Sequence, residues 1–148
     1  MDRIRLIASD MDATLLDEQS QLPADFEETI HALAELSIRF APASGRPLYT
    51  LEAMFPTLQD ELVFIGDNGG AIRWKGQNLF TSEMSPEGWR AAEPPDPGTG
   101  RYCGSLRSGK CLCGAAVRRH DAVLRHFYTK IEYVDRLEDV RRPCRQIH

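Results

Sequence analysis

An α/β fold built on a parallel sheet follows from three features of the sequence. Short apolar runs alternate with helical patterns, both helical stretches open at a proline, and acidic or small polar residues collect where the apolar runs stop. The order strand, helix, strand, helix, strand opens a doubly wound sheet with flanking helices. In such sheets ligands bind beyond the carboxyl ends of the strands.

The elements follow in order. "IRLIAS" (4–9) has the continuous apolar character of a buried parallel strand and stops at Asp10 and Asp12. A polar segment leads to Pro23, and "PADFEETIHALAELS" sets Phe26, Ile30, Leu33 and Leu36 on one helical face. Its early Asp25, Glu27 and Glu28 suit the positive end of a helix. "IRFAPAS" (38–44) is the second strand, ending at Gly45-Arg46-Pro47, and "PLYTLEAMF" (47–55) is a shorter helix opened by Pro47. "ELVFIGDNGG" (61–70) supplies a third strand and a turn, and "AIRW", "KGQ" and "LFTSE" form a hairpin. Asp10, Asp12, Ser44 and the 66–70 turn therefore converge on one end of the sheet.

Composition bounds the function classes. The chain has 148 residues, 42% apolar and 27% charged, as expected of a globular protein with one real core. No apolar run approaches the roughly 20 residues that span a bilayer, and the N-terminus lacks a signal-peptide pattern. The expected location is cytoplasmic, with no membrane partner. The net charge of −4 hides an imbalance: residues 1–93 carry −9 and residues 94–148 carry +5. All four cysteines lie in the second part, at Cys103, Cys111, Cys113 and Cys144. Without Cys-x-x-Cys pairs, reduced thiols are the expected state, the alternative being zinc held by Cys103, Cys111, Cys113 and His120. The basic residues of this part come without interleaved aromatics, so no nucleic-acid partner is expected.

Ionised groups are costly to desolvate, so paired carboxylates at a strand end indicate a place where charge is wanted. One carboxylate can attack phosphorus while the next moves protons for leaving group and water. Their mutual repulsion calls for a divalent cation, and Mg²⁺ suits hard oxygen ligands. Ser44 and Gly45 can offer a hydroxyl and a backbone N–H to a phosphate oxygen. Arg46 reads either as a cationic fork for phosphate or as a solvated surface cation. Asn68-Gly69-Gly70 reads as a backbone device using glycine at positive φ, and Asp67 as a solvated turn aspartate, a metal role being the alternative.

"DMDATLLD" resembles the first motif of the haloacid dehalogenase (HAD) superfamily, Asp-x-Asp-x-Thr after an apolar strand. "APASGRP" is similar to its second motif, and "VFIGDNGGAIRW" resembles the strand and turn of the Cof-type, sugar-phosphatase-like branch. The resemblance covers roughly residues 3–92. It implies the N-terminal half of a HAD-like Rossmannoid core over 1–84 and a partial, irregular α+β cap over 85–148. It implies Mg²⁺-dependent hydrolysis of a small phosphorylated metabolite through an aspartyl-phosphate. Asp10 would be the nucleophile, Asp12 the acid/base, Ser44, Gly45 and Arg46 the phosphate-binding residues, and the Asp10 carboxylate and Asp12 backbone carbonyl the metal ligands.

The pattern also departs from the family. Ala13 and Ser37 stand where the family has glycine, so positive φ at either position would carry strain. The third-motif Lys and fourth-motif acidic pair have no counterpart: Lys75 and Lys110 lie in turns, and Asp135 and Asp139 lack the preceding glycine. Without the later strands, 4–9 is expected to expose an apolar edge open to self-association. Residues 93–119 and 141–148 lack any periodicity and read as translated out of the family's frame, whereas 120–140 reads as a helix followed by the strand "KIEYV". The competing functional reading is a truncated, non-catalytic remnant that at most binds phosphate or a partner chain.

Overall fold

The computed structural model describes residues 3–85, 87–88, 103–106, 110–135 and 144–147, with 103–106 and 144–147 described as backbone. The chain divides into two compact units, Met1–Phe80 and Thr81–His148.

The first unit is a five-stranded sheet in the order β1-β2-β3-β4-β5. Strands β1 (Leu6–Asp10), β2 (Arg39–Ala43) and β3 (Val63–Gly66) run parallel, joined through helices α1 (Phe26–Glu35) and α2 (Leu48–Ala53). Strands β4 (Ala71–Trp74) and β5 (Gln77–Thr81) follow, β4 antiparallel to β3. The two residues joining them, Lys75 and Gly76, both take positive φ, at 48° and 71°. That is the primed turn that suits a twisted hairpin.

Both helices share one hydrophobic cluster, where Phe26 and Ile30 of α1 meet Leu48 and Leu51 of α2 over Phe64 of β3. Phe26, Phe40, Phe55 and Phe64 form a chain of ring contacts with centroids 5.6–6.0 Å apart, the offset geometries aromatic pairs prefer. Close packing reaches the backbone at Gly66, where an added Cβ would lie 2.7 Å from Leu48 Cα.

Leu36 departs from the expected apolar face: the helix closes at Glu35 and Leu36 is exposed. The closure is a Schellman motif, with the Ile38 N–H donating to Leu33 O and the Ser37 N–H donating to Ala34 O, both at 2.9 Å. Ser37 takes φ 57° there, the conformation glycine would adopt more cheaply.

One open edge of the sheet is β1. It is an edge strand, and Ile4, Leu6 and Ile7 are 64%, 52% and 37% exposed.

The second unit has a four-stranded sheet in the order β8-β7-β6-β9. Its strands are β6 (Cys103–Leu106), β7 (Cys111–Gly114), β8 (Ile131–Val134) and β9 (Cys144–Ile147). Helix α3 (Asp121–Phe127) links β7 to its parallel neighbour β8 through a preceding 3₁₀ segment, Ala115–His120. Within 93–119 and 141–148 the described residues form β6, β7, most of the 3₁₀ segment and β9; residues 93–102, 107–109, 141–143 and 148 lie outside the described residues. Cysteine packs here as a small hydrophobe. Cys111 and Cys113 are fully buried with Val117 and Tyr128. Cys113 is disulfide-bonded, which corrects the expectation of reduced thiols there, and its sulfur lies 3.7 Å from Cys111 Sγ.

No helix among the described residues is long and apolar enough to cross a membrane.

Candidate active site

The register of the parallel strands levels their carboxyl ends. Asp10 is opposite Ala43, and Ala43 is opposite Ile65. The loops after β1, β2 and β3 therefore leave the sheet side by side, and the residues singled out in all three meet at one end.

The first loop is a single π turn, Met11–Leu15, closed by the Leu16 N–H donating to Met11 O at 2.8 Å. Met11 is fully buried and anchors it, while Asp10 and Asp12 are exposed. The turn is possible because Ala13 takes φ 56° and ψ 18°. A left-handed non-glycine residue costs roughly 1–2 kcal/mol, so the loop that presents Asp12 is held in a strained form by its surroundings.

The second loop is fixed by hydrogen bonds. The Ser44 N–H donates to Ile65 O at 3.0 Å, and Ser44 Oγ accepts from the Arg46 N–H at 3.1 Å. Ser44 itself is buried. Gly45 lies against the third loop: a Cβ there would lie 2.9 Å from Asn68 Oδ1, so the Asn68 side-chain tip would have to shift to admit one.

Arg46 departs from the reading as a solvated surface cation. Only 5% of it is exposed, and its Nη2 donates to Asp12 Oδ1 at 2.9 Å. It is not a solvated surface cation. It joins the second loop to the first, across 34 positions of sequence.

Asp67 is likewise corrected from a solvated turn residue, being only 3% exposed. Its N–H donates to Arg46 O at 2.9 Å and its Oδ2 accepts from the Leu48 N–H at 3.4 Å. Burial follows from the close approach of Gly66 to the start of α2. The left-handed residues of this turn are Asp67, Asn68 and Gly69, at φ 53°, 50° and 85°, so two non-glycine residues share the role expected of the Asn68-Gly69-Gly70 run. Sequence reading placed this turn at the site but missed that Asp67 supports Arg46 and Leu48. Its position directly after a third strand ending at the same sheet edge was the available signal.

Among the described residues no group of three His, Cys, Asp or Glu side chains is placed to hold a metal. The first loop thus offers two hard-oxygen residues and no closed cage. That donor set fits Mg²⁺, which takes one or two carboxylates and keeps water and substrate phosphate as its other ligands. It does not fit a structural zinc site, which would be closed by four protein ligands.

The family model for haloacid dehalogenase-like hydrolases matches residues 7–91. The 5-amino-6-(5-phospho-D-ribitylamino)uracil phosphatase YbjI of Escherichia coli (strain K12) is 30% identical over 141 residues, covering 93% of this chain and 52% of that protein. The HMP-PP phosphatase of Cronobacter sakazakii is 34% identical over 84 residues, covering 56% of this chain and 31% of that protein. The chain thus spans about half the length, or less, of the curated relatives it matches.

Among solved structures, SMU.1108c from Streptococcus mutans matches with a TM-score of 0.83 at 24% identity, covering 96% of this chain and 55% of that one. The HAD subclass IIB sugar phosphatase BT4131 matches at 0.71 and 16% identity, covering 94% and 58%. At these identities the structures establish the fold. With the family model covering more than half of its residues, the chain belongs to the haloacid dehalogenase-like hydrolase family.

Proposed function

We propose that this chain carries the nucleophile, the acid/base and the phosphate-binding loop of a Mg²⁺-dependent phosphomonoesterase acting on a small, sugar-phosphate-like metabolite. The observation that carries the reading is the level register of Asp10, Ala43 and Ile65, which brings the Asp10–Asp12 loop and the Ser44–Gly45 loop to one sheet end. The two curated relatives are both named as phosphatases of phosphorylated small molecules.

In the proposed reaction an Asp10 carboxylate oxygen attacks phosphorus, and the bond from phosphorus to the leaving oxygen breaks. Asp12 gives a proton to that oxygen. Water then attacks the aspartyl-phosphate as Asp12 takes its proton, which releases inorganic phosphate and restores the Asp10 carboxylate. Asp12 suits both proton steps because it is exposed to incoming substrate while one of its oxygens is held by Arg46. The Ser44 hydroxyl and the backbone of Gly45 suit the phosphoryl oxygens. Mg²⁺ held by the Asp10 carboxylate and the Asp12 backbone carbonyl would neutralise the charge gathered there and leave the Asp12 side chain free for proton transfer.

The test is release of p-nitrophenol from p-nitrophenyl phosphate, with and without Mg²⁺, beside Asp10→Asn. Mg²⁺-dependent release that disappears in Asp10→Asn supports the reading. Equal release from both proteins contradicts it.

A second reading, a non-catalytic chain that binds phosphate or another chain, is favoured by the open side of the sheet. The Asp10 strand is the edge strand and its apolar residues are exposed, a template for pairing. Self-association through β1 is the partner interaction proposed. Folded protein that binds inorganic phosphate and hydrolyses nothing would select this second reading.

A further inference from the structure

We infer that Arg46 is a positioning residue for Asp12 rather than a ligand of the phosphoryl group, an inference that rests on the phosphatase reading and deepens it. Three observations carry it. First, Arg46 is almost wholly buried, so its side chain is held in one place by its surroundings. Second, its backbone is fixed at both ends, the N–H donating to Ser44 Oγ and the carbonyl accepting from the Asp67 N–H. Third, from that fixed base Nη2 crosses to the neighbouring loop and holds Asp12 Oδ1 at 2.9 Å.

The consequence is specific. Asp12 stands on a turn that Ala13 closes only in a left-handed conformation. An exposed side chain on this turn keeps its choice of rotamers unless a partner holds it. A charge-assisted hydrogen bond from a planar, buried guanidinium removes that freedom. With Oδ1 held, Oδ2 is the oxygen left for the proton that moves between Asp12 and the leaving group or water. Ser44, which would bind phosphate, and Asp12, which would move the proton, are thereby referenced to one residue.

A positioning residue and a phosphate ligand differ in kinetics. Loss of positioning lowers kcat and leaves KM little changed, whereas loss of a phosphate ligand raises KM and weakens inhibition by inorganic phosphate. For Arg46→Gln we expect kcat to fall about 10- to 100-fold, the scale at which a misplaced catalytic group acts. KM and the inorganic phosphate inhibition constant should stay within about 3-fold, the range of uniform binding left intact. Arg46→Lys keeps the charge without the fork and should recover part of kcat. In an Asp12→Asn background, Arg46→Gln should cost little further, because residues acting through one another are not additive. A 10-fold rise in the phosphate inhibition constant with kcat preserved would overturn the inference.

A second readout is independent of turnover. In the wild-type chain the Arg46 guanidinium N–H signals should be resolved by NMR and should shift in Asp12→Ala, a change at an exposed position that leaves the core intact. Arg46 signals unmoved by Asp12→Ala would overturn the inference, even in a chain without hydrolytic activity. Absence of hydrolysis together with shifted signals would instead count against the phosphatase reading alone.

Discussion

The two flanks of the parallel sheet differ sharply. On one side, β3 and α2 are packed so closely that Gly66 has no room for a Cβ against Leu48, and Phe64, Leu51 and Leu62 are essentially inaccessible. On the other, β1 is an edge strand whose Leu6 and Ile7 are exposed. Yet β1 carries Asp10 and leads into Asp12. The side that presents the chemistry is the less supported one, and it takes its order from the better-packed side. Asp67 bonds to Arg46 and to the start of α2, Arg46 bonds to Ser44 and Asp12, and Asp12 sits on the β1 loop.

Five substitutions sharpen or break this comparison, the largest expected effect first. Asp10→Asn should reduce Mg²⁺-dependent hydrolysis by about 10³-fold or more, as loss of a nucleophile does. The melting curve should be little affected, because Asp10 is exposed. Phe64→Ala on the packed flank should cost about 3–5 kcal/mol in urea unfolding, whereas Leu6→Ala on the open flank should stay within about 0.5 kcal/mol. Equal costs would erase the distinction. Gly66→Ala should cost about 1–3 kcal/mol, because the neighbour its Cβ would meet is the backbone of Leu48 and cannot swing aside. Ser37→Gly should raise stability by about 0.5–1 kcal/mol, since relief of a left-handed residue outweighs the entropy glycine adds to the unfolded chain.

The open flank also makes a prediction about association. If β1 pairs with another copy, sedimentation should show a concentration-dependent dimer that Leu6→Lys abolishes. A monomer at every concentration in both proteins would remove self-association through this edge.

Much of the first unit was legible in the sequence, for identifiable reasons. All three parallel strands lie where the apolar runs put them, and α1 begins three residues beyond Pro23, with Phe26 and Ile30 buried as the spacing predicts. The two positions lacking the family's glycine, Ala13 and Ser37, do take positive φ, at 56° and 57°. Leu36 was misread because a 3.6-residue period does not report where a helix closes, and the Schellman cap at Ser37 turns the chain before that residue can reach the core. Strands β6, β7 and β9 were not legible because alternation of Cys with Gly and Leu carries little periodic signal, although Cys111 and Cys113 pack as core residues. The Arg46–Asp12 contact could not be read from spacing, because it depends on strand register. Asp67 was misread because an acidic residue in a glycine-rich turn looks the same whether solvent or a helix start lies beside it.

The unit of residues 81–148 has a polar network of its own on and beside α3. Asp121 accepts from Tyr133 Oη and from Arg125 Nε, both at 2.6 Å, and Arg118 lies over the Tyr133 ring with its guanidinium carbon 5.1 Å from the centroid. The Tyr133 hydrogen bond, followed by the Arg125 one, lowers the Asp121 carboxyl from its ordinary value. Its contribution to stability is therefore present above the ordinary carboxylate range and is lost as pH falls through the lowered value. Because this network lies at the surface, its loss should be a minor part of acid unfolding.

The most direct test of the central claim is whether phosphate becomes covalently attached to Asp10. The chain would be mixed with p-nitrophenyl phosphate and Mg²⁺, quenched in acid, digested and analysed by peptide mass spectrometry. The account predicts a phosphorylated peptide whose modification maps to Asp10, absent without Mg²⁺ and absent in Asp10→Asn. Hydrolysis that proceeds while no phosphate is ever found on Asp10, or a label that survives in Asp10→Asn, would contradict it.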